Sequence, residues 1–332
     1  MLNRTEEEIM SSWQGGSSAE PLVSIRCITY KHGPYIAQTL DGFLIQKTTF
    51  PFEIVVHDDA SPDNTADVIR EYEAKYPNII HTIYETENMF SKGDGVISGI
   101  INPILRGKYV AYCEGDDYWI DENKLQKQVD FLEANPDYGL CYTNFNFYHQ
   151  NTGETEYDLL NTKSEEFRSE YTLEEWVINK GYTAPMTWVL RKELLDKYKR
   201  IPSCDSSFGT FAHFLATSKV HCLKNDITAV YRVLGESASH TKDVKKSYSR
   251  ASTLLKVQEK MIEKYGLPAD TVEKVRKLYY SNGYRLIGMN YDREAMKNSL
   301  KYNSSPKVRL FYTAMRSSLL RRLCISLWKK SR

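Results

Sequence analysis

Short apolar runs alternate with amphipathic stretches through the first third of the chain. Four runs have the length and β-rich composition of buried strands, and they lie at 22–29, 52–57, 79–84 and 109–113. Three stretches between them have the apolar periodicity of helices, at 35–46, 66–76 and about 96–105. Strands that alternate with helices in this way predict a parallel α/β sheet.

The pattern becomes less regular beyond this region. A helix is predicted at about 122–135, strands at 138–147, 220–223 and 229–233, a polar surface loop at 151–168, and helices from about 242 almost to the end. Residues 1–20 lack the apolar core of a signal peptide, so we expect a flexible leader there. The predicted division is this leader, a main domain at 21–240 and a helical C-terminal region at 241–332.

Acidic residues cluster directly after the fourth apolar run, in the segment KYVAYCEGDDYW. Glu114, Asp116 and Asp117 would repel one another at the end of a strand unless a positive charge neutralised them. Closely spaced carboxylates suit a hard divalent cation such as Mg²⁺ or Mn²⁺, which often carries a diphosphate with it. The alternative is a solvated acidic turn.

Two further polar clusters follow predicted strands, Thr29-Tyr30 after the first and Asp58-Asp59 after the second. Ligands of parallel α/β sheets bind outside the carboxyl ends of the strands, so we expect all three clusters at one edge. Tyr30 can stack on a nucleotide base, and the Thr29 backbone can hold the base or ribose. Asp58 or Asp59 can accept a hydrogen bond from a ring N–H.

Together these features resemble a family 2 glycosyltransferase of the bacterial surface-polysaccharide type. The matching segments are 28–30, 55–65, 87–88, 109–119, 124–128 and 230–232. The resemblance covers about residues 20–240 and implies the GT-A fold, with a nucleotide-binding half at 21–120, an acceptor half at 121–240 and a C-terminal helical appendage. It implies an inverting enzyme that uses a nucleotide sugar, a divalent cation and a glycan or lipid-linked acceptor.

The resemblance also implies roles for the matched acidic residues. Asp116 would be the principal metal ligand, and Asp117 would assist it or cap the next turn. Glu114 would contact the ribose. Asp58, with Asp59 close by, would bind the uracil ring N–H of a UDP-sugar.

An inverting transfer also needs a base to take the proton of the acceptor hydroxyl. In the family this is an Asp at the start of a helix, which places the role on Asp205, although a tighter alignment would select Thr210. An Asx turn is the structural alternative for Asp205. Arg232 matches the family's Tyr-Arg pair and would lie near the carboxyl edge of the sheet, where it would bind a phosphate or form a salt bridge to Asp58 or Glu114. Leu234 replaces a common His there, and His240 is a substitute.

Composition and the C-terminal tail bear on location. Basic and acidic residues balance at 44 and 43, which gives no whole-chain attraction to nucleic acid. Six scattered cysteines without a Cys-x-x-Cys pair predict reduced thiols in a cytoplasmic protein. The segment from Lys307 to Arg332 has eight basic and no acidic residues, and its apolar positions are Val308, Phe311, Met315, Leu319, Leu323 and Leu327. This pattern predicts a helix that lies on an anionic membrane through an apolar stripe formed by these six positions. Packing of the apolar stripe on the catalytic domain is the alternative.

Two other function classes are alternatives to a transferase. A catalytically inactive relative could bind a nucleotide sugar or glycan without turnover. A dinucleotide-dependent oxidoreductase is disfavoured, because no Gly-x-Gly-x-x-Gly segment follows the first strand.

Overall fold

A computed structural model describes residues 4–16, 19–93, 95–234 and 243–330. Within this part of the chain nine strands join one mixed sheet. The strands are β1 (Val23–Thr29), β2 (Phe52–Asp58), β3 (Ile80–Tyr84), β4 (Tyr109–Glu114), β5 (Tyr118–Trp119), β6 (Tyr138–His149), β7 (Thr155–Glu156), β8 (Val189–Arg191) and β9 (Lys219–Val233). Their order is β3-β2-β1-β4-β8-β6-β9-β5, and β7 pairs with β6.

The helices follow the same chain order. They are α1 (Glu6–Met10), α2 (Ile36–Leu44), α3 (Thr65–Lys75), α4 (Val96–Ile101), α5 (Lys124–Ala134), α6 (Leu159–Thr162), α7 (Leu173–Asn179), α8 (Lys192–Asp196), α9 (Ser206–Thr217), α10 (Val244–Tyr265), α11 (Ala269–Asn282), α12 (Tyr284–Asn290), α13 (Arg293–Tyr302), α14 (Pro306–Ala314) and α15 (Ser318–Lys330). The predicted helix at 96–105 changes to a 3₁₀ turn at Asn102–Ile104, because Pro103 cannot donate an α-helical hydrogen bond.

The chain divides into two compact units. The first unit comprises the described residues up to Thr172 together with 182–200 and 205–234, and it contains the whole sheet. The second unit comprises 173–181, 201–204 and the described residues from 243 onward, which form helices α7 and α10–α15.

The N-terminal half of the sheet is parallel, as predicted. β1 pairs in parallel with β2 and β4, and β2 pairs in parallel with β3. Strands β1, β2 and β4 are almost fully buried, which explains their continuous apolar runs. The other half is mixed: β8 is antiparallel to β4 and β6, while β9 runs parallel to β6 as one strand where the sequence predicted two. The architecture confirms the predicted α/β class.

Two segments are more ordered than the sequence predicted. The expected flexible leader contains α1, where Thr5 and Glu8 form a capping box and the Ile9 side chain is fully buried. The expected surface loop at 151–168 contains β7 and α6, in which Leu159 and Leu160 are buried. In both cases a few buried apolar side chains anchor a largely polar segment.

The C-terminal helices divide the predicted apolar stripe. Val308 and Met315 are buried in the second unit, whereas Leu319, Leu323 and Leu327 are 75%, 55% and 58% exposed. The break between α14 and α15 rotates the stripe, so that Cys324, Ile325 and Trp328 pack inward instead. The tail therefore packs through one face and exposes a second apolar face. None of the described helices has the length and apolar character needed to cross a membrane.

Candidate active site

Strand register brings the three predicted polar clusters together. Thr29 on β1 pairs with Asp58 on β2, and Ile28 pairs with Glu114 on β4. The carboxyl ends of these strands therefore lie side by side, as expected for a ligand site of a parallel sheet. α2 covers the chain just beyond them: a Cβ on Gly42 would lie 2.9 Å from Trp119 N, so this close approach requires glycine.

The segment from Glu114 to Asp117 forms a carboxylate cluster. One oxygen from each of Glu114, Asp116 and Asp117 lies within 4.8 Å of the others. Glu114 is exposed and Asp116 partly exposed, but Asp117 is buried, so this is not a fully solvated turn. Such a set of oxygen donors suits Mg²⁺ or Mn²⁺, and the residues present therefore fit a divalent cation.

Repulsion and exclusion of water shape the protonation of the cluster. Desolvation of its carboxylate raises the pKa of Glu114 to about 7, although the residue as a whole is exposed, and the charges of Asp116 and Asp205 act in the same direction. Burial, followed by the Asp116 charge, raises the pKa of Asp117 well above its usual range. A bound cation would oppose both shifts, because a positive charge favours ionised carboxylates.

Neighbouring side chains fix the backbone of the acidic segment. The Thr39 hydroxyl lies 3.0 Å from the Gly115 carbonyl oxygen and 2.6 Å from that of Asp117. A Cβ on Gly115 would lie 2.6 Å from Thr29 Oγ1 and 2.9 Å from His32 Nδ1, so a larger residue would displace the site. The glycine in the motif is therefore a packing requirement.

Arg232 supports this segment from β9. Its backbone N–H donates to Asp117 Oδ1 at 2.9 Å, and its Nε donates to the Asp116 carbonyl at 2.8 Å. Its two terminal nitrogens donate to Gln150 and Gln38 at 2.7 and 2.6 Å. The guanidinium also lies 4.8–5.6 Å from the ring centres of Tyr35, Tyr118 and Tyr148. Arg232 therefore holds the acidic segment in place, and its predicted contact with a phosphate stays a prediction.

Asp58 and Asp59 have different surroundings. Asp58 is 3% exposed; its Oδ2 accepts a hydrogen bond from Ser61 N at 3.4 Å, and its buried Oδ1 has no partner among the described residues. The two oxygens of Asp59 accept bonds from Met89 N at 2.6 Å and Phe90 N at 3.1 Å. Asp59 thus holds the loop after β3, and its predicted nucleotide role stays a prediction, whereas Asp58 retains an oxygen for a ligand.

Thr29 and Tyr30 occupy the end of β1. Thr29 is fully buried, and its Oγ1 has no hydrogen-bond partner in the described part of the chain. Tyr30 is 37% exposed, and Lys31 Nζ lies 5.1 Å from its ring centre. Lys31 has a left-handed φ of 60°, and its N–H donates to Ser61 Oγ at 2.9 Å. This link joins the loops after β1 and β2 and leaves the Tyr30 ring available for stacking.

His32 belongs to the site, although the sequence analysis gave it no role. Its Nε2 lies 3.8 Å from Asp116 Oδ2, and its Nδ1 is buried without a partner among the described residues. Burial lowers its pKa against the opposing charges of Asp116, Asp63 and Asp58, which favours the neutral imidazole. Its position in the loop after β1 was the available signal. His240, the predicted substitute, lies outside the described residues.

Asp205 caps α9. Its Oδ1 accepts bonds from Ser207 N at 3.0 Å and Phe208 N at 3.1 Å, so the predicted structural turn is present. The side chain is exposed, and its negative charge acts on Glu114. Thr210 is only 2% exposed and lies in the second turn of α9. This geometry favours Asp205 over Thr210 as a proton acceptor, because a carboxylate is the stronger base.

Comparisons with known proteins agree with this geometry. The model of glycosyl transferase family 2 matches residues 24–199, which include β1, β2, β4 and the carboxylate cluster. A crystal structure of S. aureus TarS in complex with UDP-GlcNAc has a TM-score of 0.60 and 18% identity, and the match covers 92% of this chain and 89% of that chain. This likeness confirms the predicted GT-A fold.

Curated relatives match shorter segments. An uncharacterised protein of Mycobacterium tuberculosis is 42% identical over 122 residues, which are 36% of this chain and 34% of that protein. The putative teichuronic acid biosynthesis glycosyltransferase TuaG of Bacillus subtilis is 33% identical over 37% of this chain and 44% of its own length. WfaP of Escherichia coli, a UDP-Glc:alpha-D-GlcNAc-diphosphoundecaprenol beta-1,3-glucosyltransferase, is 31% identical over 34% of this chain and 42% of its own length. The chain thus spans less than half the length of these relatives.

Proposed function

The chain belongs to glycosyl transferase family 2, and from that premise we propose that it moves a sugar from a nucleoside-diphosphate donor to a glycan or lipid-linked acceptor. The observation that carries the proposal is the carboxylate cluster of Glu114, Asp116 and Asp117 beside the unpartnered Asp58 oxygen. A cation site and a hydrogen-bond acceptor at adjacent strand ends suit the two ends of a nucleotide diphosphate. We call these residues, together with Thr29, the donor edge.

Uridine is the proposed nucleoside. The buried Asp58 Oδ1 can accept the uracil ring N–H, and the exposed Tyr30 ring can stack on the base. Glu114 is exposed at the end of β4 and can accept from a ribose hydroxyl. Two similar proteins agree with this choice, since TarS was solved with UDP-GlcNAc and WfaP is named for UDP-Glc.

The proposed reaction is a single displacement with inversion. Asp205 accepts the proton of the acceptor hydroxyl while its oxygen bonds to the anomeric carbon, and the bond from that carbon to the diphosphate breaks on the opposite face. Asp116 and Asp117 would hold Mn²⁺ or Mg²⁺, which would offset the charge of the departing diphosphate. Arg232 and Thr39 keep the acidic segment in position for this task.

The exposed face of α15 supports a place at the membrane surface. Leu319, Leu323 and Leu327 recur every four residues on this face, and Arg322 beside them is exposed. No acidic residue follows Glu294 in the sequence. An apolar row with basic neighbours suits the cytoplasmic surface of an anionic bilayer, and the six free cysteines agree with a reducing compartment. Replacing the three leucines by serine should abolish flotation with phosphatidylglycerol vesicles, and unchanged flotation would contradict membrane docking.

Surface-polysaccharide assembly is the proposed setting, because TuaG is named for teichuronic acid biosynthesis and WfaP for transfer to a sugar linked to diphosphoundecaprenol. A catalytically inactive nucleotide-sugar-binding relative is the alternative. Asp205 argues against it, because an exposed carboxylate caps α9 where the base is expected.

Nucleotide-sugar binding and turnover test the proposal separately. A panel of UDP-, GDP- and ADP-sugars should raise the melting temperature only for UDP-sugars, and more strongly with Mn²⁺ than with a chelator. Slow hydrolysis of the stabilising donor without acceptor would then identify an active enzyme. Stabilisation without any hydrolysis or transfer would favour the inactive relative, and equal stabilisation by all nucleotides would contradict the assignment of Asp58.

A further inference from the structure

Arg26 is a charged residue in the middle of a buried strand. It lies on β1 and is 7% exposed. Its Nε donates to Asn102 Oδ1 at 3.2 Å, its Nη2 donates to Ser98 Oγ at 3.3 Å, and its guanidinium lies 4.8 Å from the Tyr112 ring centre. All three partners are neutral, and no described carboxylate lies within ion-pair distance of it. The Glu114 carboxylate acts on Arg26 only from a distance, without a salt bridge. A buried cation that lacks a direct anionic partner is costly, which points to an anion that completes its surroundings.

The neutral partners of Arg26 line a cleft of about 500 Å³ in the first unit. The other walls come from α4, from the segment after α8, and from the start of α9; they include Gly95, Tyr198, Arg200, Ser206 and Thr210. We call this space the acceptor cleft.

Charge and hydrogen-bonding groups in the acceptor cleft favour an anion. Arg200 lies across its rim, where its Cδ is 3.2 Å from the position of a Cβ on Gly95. Asp196 is the acidic side chain among the described lining residues, and Lys192 pairs with it at 2.7 Å. Ser206 directly follows Asp205, so one end of the cleft lies beside the proposed base.

We propose that the acceptor cleft binds the phosphate or diphosphate group of an anionic acceptor, with Arg26 behind the cleft and Arg200 at its rim supplying the positive charge. This proposal rests on the transferase function proposed above and adds the chemical class of the acceptor. The forked Arg200 guanidinium matches phosphate oxygens. A neutral glycan would not compensate the buried charge of Arg26. The sugar hydroxyl of such an acceptor would then reach Asp205 while its phosphate rests in the cleft.

The donor diphosphate has a separate place. It is proposed to lie on the cation at the donor edge, whereas the acceptor cleft is lined by α4 and α9. Filling the nucleotide site with UDP and Mn²⁺ therefore leaves the acceptor cleft as the place where a second phosphate compound binds.

A pair of probes tests the proposal by binding. The first is the octyl diphosphate ester of N-acetylglucosamine, and the second is the neutral octyl N-acetylglucosaminide. Calorimetry with the full chain, saturated with UDP and held at constant free Mn²⁺, should show at least about tenfold tighter binding of the diphosphate probe. Arg26→Met should remove this preference, and Arg200→Gln should reduce it several-fold, while UDP affinity stays within about twofold.

Arg70→Gln is the matched control. Arg70 also stacks on a tyrosine, 4.7 Å from the Tyr84 ring centre, but it lies on α3 and pairs with Asp67. The Arg70→Gln variant should keep the full preference for the diphosphate probe.

Several outcomes would overturn the proposal. They are equal affinity of the wild-type chain for both probes, an Arg26→Met variant that keeps the preference, or a parallel loss of UDP affinity in that variant. If thermal melting shows that Arg26→Met is unfolded, the result with Arg200→Gln decides. A chain that prefers the diphosphate probe but neither hydrolyses nor transfers a sugar would refute the transferase function alone.

Discussion

The donor edge takes its polar groups from the ends of three adjacent parallel strands, whereas the acceptor cleft collects side chains from separate segments along the chain. At the donor edge, register alone places Asp58 and Glu114 on either side of Thr29. In the acceptor cleft, Ser98 on α4 and Thr210 on α9 line one space only because the helices pack on the sheet. A site fixed by backbone pairing follows from local sequence, but one fixed by side-chain packing requires the fold.

The largest expected effect comes from removing a charge at the donor edge. Asp116→Asn should lower transfer by about 10³-fold, because a cation on the diphosphate contributes several kcal/mol to the transition state. The Mn²⁺-dependent part of UDP binding should disappear with it. Steady-state kinetics and calorimetry with and without Mn²⁺ measure both. Full activity of the variant in chelator-treated buffer would contradict the metal role.

A smaller effect is expected at Asp205, the proposed base, which directly precedes Ser206 of the acceptor cleft. Asp205→Asn should lower turnover by about 10²-fold, the usual scale for loss of a general base, with UDP-sugar affinity nearly unchanged. Thr210→Val is the control, since it alters a buried hydroxyl on the same helix. If Thr210→Val lost the activity and Asp205→Asn did not, the tighter alignment would be correct.

The sequence predicted the donor edge well because its information is local. An apolar run followed at once by polar residues predicts both a strand and its polar end, and β1, β2 and β4 form where such runs predicted them. The side-chain partners were not predictable in the same way. Arg232 donates a hydrogen bond to Gln38, a residue 194 positions away, and no local sequence pattern predicts that contact.

Other differences have the same physical origin. Asp58 and Asp59 look equivalent in sequence, but Asp58 ends β2 and keeps an oxygen without a partner among the described residues, whereas Asp59 follows the strand and bonds to the loop backbone after β3. The apolar stripe of the tail looks continuous, yet a turn between α14 and α15 divides it into a packed part and an exposed part. Both outcomes depend on contacts that form only after the chain has folded.

A buried lysine on α5 should make the stability of the folded chain depend on pH. Lys124 on α5 is fully buried; its Nζ donates to Gln128 Oε1 at 2.7 Å and lies 4.4 Å from the Trp119 ring centre. Burial lowers its pKa from 10.5 to about 7. Between these values the unfolded chain binds the proton more strongly than the folded chain, so stability should rise with pH across this window.

Lys124→Met should remove that pH dependence. Its stability relative to the wild-type chain should fall by about 2 kcal/mol between pH 7 and pH 8.5, since one proton contributes about 1.4 kcal/mol per pH unit. Urea unfolding at both pH values measures the change. Lys127→Met, on the exposed side of α5, should run parallel to the wild type because its salt bridges to Asp121 and Asp226 raise its pKa. Parallel profiles for Lys124→Met would show that Lys124 stays charged.

The smallest effects separate the two neighbouring aspartates after β2. Asp58→Asn should weaken UDP binding about tenfold, because the base loses a charged acceptor, and should change the unfolding free energy by less than about 0.5 kcal/mol. Asp59→Asn should do the reverse: it weakens two bonds to Met89 N and Phe90 N and should lower the unfolding free energy by about 1 kcal/mol. Calorimetry with UDP and urea unfolding on the two variants give both quantities. If both variants lost UDP affinity equally, Asp59 would have the nucleotide role predicted from the sequence, and the donor edge would include both carboxylates.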